Sequence, residues 1–215
     1  MSENGAGRPG FHERLRPPAG EVSVPDAAPC VYEIDWEDRI VALSDEWYRF
    51  ARDNDAGRSL IELLPGVSLW ELITGAEVRY LYESIFAGVR RRQRPVRLPF
   101  RCDSPNLRRY MELEISPAEG GGLRLSGHLL HEESREEIGV LAPRSAPETS
   151  SPRPETFVAM CSWCKAARLR GEWGAVEELV RAEGLFQEES LPRISHSICP
   201  DCRDSVRGAL RGPPS

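Results

Sequence analysis

The sequence contains no long apolar run. No segment approaches the roughly 20 consecutive apolar residues that span a bilayer, and residues 1–20 are polar, with proline and glycine where an export signal would have an apolar core. We therefore expect a cytoplasmic protein without membrane insertion. Lysine is also nearly absent: Lys165 is the single lysine among 28 basic residues, so we take the arginine excess as compositional and not as evidence of function.

An excess of positive charge is absent as well. The net charge of -6 and the pI near 5.4 argue against broad attraction to nucleic acid or to anionic membranes. The sequence has no G-x-S-x-G elbow and no P-loop, and its acidic residues show no catalytic pairing. We therefore predict that it is not an enzyme. The 215 residues cannot contain a kinase or polymerase core, but a hydrophobic content of 40% suffices for one or two folded units.

The first folded unit, called the sheet unit, is predicted over residues 28–135. Residues 1–27 precede it as a predicted disordered tail, because they combine glycine, proline and charge without an apolar period. Alternating apolar residues over 31–36 and 39–43 predict a β-hairpin. Ser44 then fits the N-cap of a helix.

Short helices, one longer helix and three strands are predicted after the hairpin. The longer helix has an apolar stripe with intervals of three and four: Val78, Leu81, Ile85 and Val89. Alternation with period two then predicts three strands with one buried face each: residues 96–102, 110–115 and 123–129. Arg101, Arg108 and Arg109 bracket Asp103 here, and we expect them to form surface ion pairs.

This order of elements predicts an α+β fold with a five-stranded antiparallel sheet and helices on one face. The order and the length of roughly 100 residues resemble a PAS domain, the bacterial sensor and interaction module. The resemblance implies a sensory or protein-interaction role, a pocket ligand that the sequence does not identify, and homodimerisation through this unit as an option.

Residues 136–156 form a predicted linker, rich in proline and serine from residue 142 onward. A second unit, called the cysteine unit, is predicted over residues 157–212. It contains two C-x2-C knuckles: Cys161 with Cys164, and Cys199 with Cys202. Spacing of i, i+3 lets two thiolates converge on one ion, and two such turns complete a tetrahedron.

The knuckles predict a structural Zn²⁺ site with Cys161, Cys164, Cys199 and Cys202 as ligands. An iron–sulfur cluster stays open, because soft four-thiolate sites accommodate both it and zinc. A dithiol redox switch also stays open, on the cytoplasmic context and the paired spacing. His196 is a fifth candidate, which either replaces one cysteine or supports the site with its ring N–H. An apolar stripe of Trp173, Val176, Leu179 and Val180 predicts a helix between the knuckles, so we expect a small zinc-binding α-helical module.

The cysteine unit resembles a small segment of bacterial signalling proteins, often found behind PAS or receiver domains. The matching residues are Cys161, Cys164 and Lys165; then Trp173, Val176 and Glu177; then Ser195, His196, Ile198, Cys199, Pro200 and Cys202. Ser197 stands where that pattern has glycine. The resemblance implies a signalling context without stating an activity.

The expected function is a non-enzymatic cytoplasmic signalling protein with a PAS-like sheet unit, a zinc-stabilised cysteine unit and a protein partner. A nucleic-acid-binding zinc module is one alternative. Residues 157–215 carry eight basic and eight acidic residues, whereas phosphate binding needs a concentrated positive face. A thiol redox sensor is the other alternative.

Overall fold

The computed structural model describes five segments of the chain: residues 14–17, 27–53, 64–138, 157–178 and 193–211. The predicted linker over 136–156 falls almost entirely outside these segments, as does most of a short helix expected near residue 60. The five segments contain no helix that is long and apolar enough to cross a bilayer.

The sheet unit contains a five-stranded antiparallel sheet with the strand order β2-β1-β5-β4-β3. Its strands are β1 (Cys30–Ile34), β2 (Ile40–Leu43), β3 (Val96–Arg101), β4 (Leu107–Pro117) and β5 (Leu123–Ser134). Its helices, all between β2 and β3, are α1 (Asp45–Asp53), α2 (Leu69–Leu72) and α3 (Ala76–Arg92). The predicted mixed α+β class with a five-stranded antiparallel sheet is confirmed.

Local hydrogen bonds explain how the chain enters this sheet. The Asp35 carboxylate accepts hydrogen bonds from the backbone N–H groups of Glu37 and Arg39, both at 2.9 Å, and so closes the turn between β1 and β2. The Ser44 hydroxyl accepts a hydrogen bond from the Trp47 N–H at 3.2 Å and caps α1. Both the hairpin and the N-cap were predicted and are confirmed.

The core of the sheet unit lies between α3 and one face of the sheet. The predicted stripe of α3 is buried: Val78, Leu81, Ile85 and Val89. Ile115, Leu123 and Leu125 of the sheet belong to the same hydrophobic cluster as most of this stripe. The opposite face carries cross-strand ion pairs, Arg124 with Glu33 and Arg97 with Glu114.

The cysteine unit contains a four-stranded sheet with the order β8-β7-β6-β9. Its elements are β6 (Phe157–Cys161), β7 (Ala167–Leu169), β8 (Glu172–Gly174), β9 (Arg193–Ser197) and helix α4 (Pro200–Arg211). Strands β6 and β9 are parallel, and the other pairs are antiparallel.

The expected α-helical character of the cysteine unit is therefore wrong for its described part. Trp173 lies on strand β8, and a helix begins only at Val176. A tight turn with Arg170 at φ 50° and Gly171 at φ 91° reverses the chain into β8. The spacing of Trp173 and Val176 imitates a helical stripe because a strand end and a helix start follow each other directly.

The two units share one hydrophobic cluster. Trp163, Ile198 and Val206 of the cysteine unit are buried together with Phe86 and Leu98 of the sheet unit. Within the tail predicted as disordered, the structure describes residues 14–17, and the Leu15 side chain is 1% exposed in this same cluster. The sequence did not predict either contact.

Candidate metal centre

The four knuckle cysteines meet at one end of the second sheet. Cys161 is the last residue of β6, and Cys164 lies in the turn that follows it. Cys199 directly precedes α4, and Cys202 lies in the first turn of that helix. Because β6 and β9 run parallel, their C-terminal ends bring both knuckles to the same edge. All four side chains are fully buried.

The sulfur atoms form a compact group. The four Sγ atoms all lie within 4.8 Å of one another, and those of Cys164 and Cys199 are 3.8 Å apart. A tetrahedral zinc ion with Zn–S bonds of about 2.3 Å separates its sulfurs by about 3.8 Å. A disulfide would need about 2 Å, and all four cysteines are free thiols. Among the described residues, this cluster is the group suited to hold a metal ion such as zinc.

The backbone of the first knuckle is tied into a tight turn. Lys165 adopts φ 61°, and its N–H donates to the Cys161 carbonyl at 3.0 Å. The Cys161 N–H donates in turn to the Ala166 carbonyl at 2.7 Å. The Cys199 N–H donates to the Cys161 sulfur at 3.4 Å, which favours a thiolate at Cys161 and links the two knuckles.

The four thiols share their protons unequally. Hydrogen bonds from Cys164, Cys199 and Cys202 hold the pKa of Cys161 well below its ordinary value. The corresponding hydrogen bonds to Cys161, Cys164 and Cys199 raise the pKa of Cys202. The pKa of Cys164 is also lowered and that of Cys199 is raised, so a metal ion must displace the protons of the resistant thiols to bind all four sulfurs.

Arg14 supplies positive charge beside the cysteines. Its guanidinium donates to the Asp201 carboxylate at 2.5 Å, and its side chain is 9% exposed. Burial alone lowers the pKa of Arg14, but the bond to Asp201 and the nearby sulfurs of Cys164 and Cys199 raise it above its usual value. This cation was missed because it lies far away in the sequence, in a segment without periodic structure.

Other basic side chains lie close to the knuckles in the sequence. The Lys165 ammonium donates to the Ser162 carbonyl at 3.0 Å, within the first knuckle. Arg168 is exposed on β7. His196 is exposed on β9 and does not belong to the group of converging ligand atoms.

Trp163, between the two cysteines of the first knuckle, anchors the centre to the sheet unit. Its indole N–H donates to the Pro99 carbonyl at 2.6 Å, and its own carbonyl accepts the Arg101 N–H at 2.8 Å. Its ring lies 5.5 Å from that of Tyr82 on α3, and burial raises the pKa of Tyr82 to about 12. A tryptophan inside a C-x2-C knuckle is the sequence signal for this anchor.

Comparison with known proteins does not assign the chain to a family. No protein-family model matches the chain, and a search of curated proteins finds no significant match. The fold and the site define a mixed α+β protein with a buried four-cysteine cluster near its C-terminus.

Proposed function

We propose that this chain is a non-enzymatic bacterial signalling protein, in which a PAS-like sheet unit acts as a sensor or interaction module and the cysteine unit is stabilised by zinc. It acts through a protein partner in the cytoplasm. The observation that carries the proposal is the buried four-sulfur cluster packed, through Trp163, into the core of the sheet unit.

The ligand set supports a structural role for the metal. Cys161, Cys164, Cys199 and Cys202 would hold the ion, and four protein ligands leave no open position for substrate. Zinc bound there would supply folding free energy, since it would cross-link two knuckles that lie far apart in the sequence.

The order of elements supports the PAS-like part. A hairpin, three helices and a three-strand meander follow one another as the resemblance requires, and α3 covers one face of the sheet. The hairpin tip presents Trp36, which is 68% exposed. An exposed tryptophan beside a rigid sheet suits contact with another protein.

Two alternatives remain distinguishable from this proposal. The even balance of charge over residues 157–215 speaks against nucleic acid as the partner. The complete burial of the four sulfurs speaks against a thiol redox sensor, because reactive cysteines are partly exposed.

In-cell crosslinking followed by purification of the full chain tests the proposed partner class. The wild-type chain should recover a specific protein, and a Cys202→Ser variant should lose it, while a Cys30→Ser control keeps it. Recovery of nucleic acid that is released by moderate salt would instead favour the regulator. A partner lost only after peroxide treatment of the wild type would favour the redox sensor.

A further inference from the structure

Three arginines of the sheet unit surround one carboxylate of the cysteine unit. Arg101 ends β3, Arg108 lies near the start of β4, and Arg135 follows β5. All three donate to the same oxygen, Oε1 of Glu177, at 3.4, 2.8 and 2.9 Å respectively. Glu177 lies in the short helix after β8. This contact joins residues that are at least 42 positions apart.

The contact is largely buried, whereas surface ion pairs were expected for Arg101, Arg108 and Arg109. Arg109 is also buried and pairs with Glu132, and the side chain of Arg108 is 26% exposed. The side chains of Arg101 and Arg135 are 6% and 7% exposed, and that of Glu177 is 13% exposed. Removing a buried partner leaves an uncompensated charge, which is far costlier than losing an exposed ion pair.

The sheet unit orients the three arginines with its own groups. The fully buried Asp103 carboxylate pairs with both Arg101 and Arg135. Arg108 pairs with Glu133 at 2.5 Å. Arg135 also donates to the Ser104 carbonyl at 2.7 Å. The three guanidinium groups are therefore held in place by residues other than Glu177.

The local charges explain why a carboxylate completes the site. Three guanidinium groups face two carboxylates of the sheet unit, Asp103 and Glu133. One positive charge is left, and the single carboxylate of Glu177 neutralises it. A neutral side chain would leave this charge uncompensated and would take from Arg108 Nη2 its anionic acceptor, whereas Arg101 and Arg135 would keep Asp103.

We propose that Arg101, Arg108 and Arg135 form a carboxylate-binding site of the sheet unit, here called the arginine site, and that Glu177 of the cysteine unit is its ligand. The arginine site determines where the cysteine unit docks, in addition to the apolar contact of Trp163. The assignment goes beyond the signalling role and does not depend on the identity of the metal.

Chemical rescue of the full chain tests this assignment. Glu177→Ala should lower the Tm by roughly 5–15 °C, since it empties a buried ionic site. Sodium formate should restore about half of that loss in a saturable manner, because formate supplies the missing carboxylate. Sodium chloride at the same ionic strength should not. Glu178→Ala, which changes the exposed neighbour, should show neither the loss nor the formate response.

Further variants keep the test decisive. If Glu177→Ala does not fold, Glu177→Ser, whose hydroxyl can accept from the arginines and whose shorter side chain leaves room for an anion, should show the same preference for formate over chloride. Arg135→Gln combined with Glu177→Ala should abolish the formate response. A formate response no larger than the chloride response in both Glu177 variants would overturn the proposal, whatever the cysteines bind.

Discussion

At the scale of single residues, the indole N–H of Trp163 makes a polar side-chain contact between the first knuckle and strand β3. Trp163→Phe keeps most of the apolar contact but leaves the Pro99 carbonyl without its 2.6 Å donor. We expect a loss of about 1–2 kcal/mol in the free energy of unfolding, measured by urea denaturation. Trp36→Phe at the exposed hairpin tip should change it by less than about 0.5 kcal/mol. Equal effects of the two variants would contradict the anchoring role.

Alanine variants of Gly75 and Gly66 distinguish the cost of a steric contact from the cost of backbone strain. Both have positive φ, at 91° and 90°, so alanine strains the backbone at either position. A Cβ at Gly75 would lie 2.7 Å from the His196 carbonyl oxygen, whereas one at Gly66 meets nothing within 4 Å. Gly75→Ala should therefore be more destabilising than Gly66→Ala by about 1–3 kcal/mol in urea denaturation. A smaller cost at Gly75 would show that β9 does not dock against the start of α3.

At the scale of elements, the short helix after β8 links the two units through Glu177. Burial raises the pKa of Glu177, but the charge of Arg101 and the hydrogen bond from Arg108 outweigh it and lower the pKa to about 2, from an ordinary value of 4.5. The folded chain thus binds fewer protons than the unfolded chain. The stabilisation is fully present above pH 4.5 and is lost as the pH falls towards 2.

Comparison with Glu177→Gln isolates this effect. The difference in unfolding free energy between wild type and variant should shrink by on the order of 3 kcal/mol between pH 5 and pH 2. Urea denaturation at a series of pH values measures it. The pH dependence that the two chains share cancels in this difference. A difference that stays constant down to pH 3 would show that Glu177 is not held by the arginines.

The sequence predicts those elements whose side chains repeat over several turns or strand residues. The stripe of α3 and the alternation in β3, β4 and β5 each span enough residues to define a period. Strands β7 and β8 have three residues each, too few to distinguish a strand from a helix start. The alternation in β3 predicts that Arg101 faces solvent. Its partner Glu177 lies 76 positions away, so the sequence pattern does not indicate the buried contact.

The candidate site was predictable to a similar degree. Two C-x2-C pairs are typical of a metal site, so the sequence alone predicts that the four cysteines lie together. The surroundings depend on tertiary contacts. Arg14 and Trp163 act through Asp201 and Pro99, and no short-range pattern connects these pairs.

At the scale of the whole molecule, the cysteine cluster belongs to the main core. Cys161, Cys164, Cys199 and Cys202 share a hydrophobic cluster with Ile85, Phe86 and Leu98 of the sheet unit. Loss of a bound metal would therefore affect both sheets, since the ion would no longer hold the two knuckles together inside a packed interior. A metal ion held by these four sulfurs would accordingly help to determine the fold of both units.

Metal content of the chain, purified without chelator, tests this most directly. Elemental analysis should give one zinc per wild-type chain, less than about a tenth of that for Cys202→Ser, and one zinc for the Cys102→Ser control. The zinc-loaded protein should have no absorption band in the visible range. A wild-type chain without stoichiometric zinc, or with the visible bands of an iron–sulfur cluster, would contradict the account.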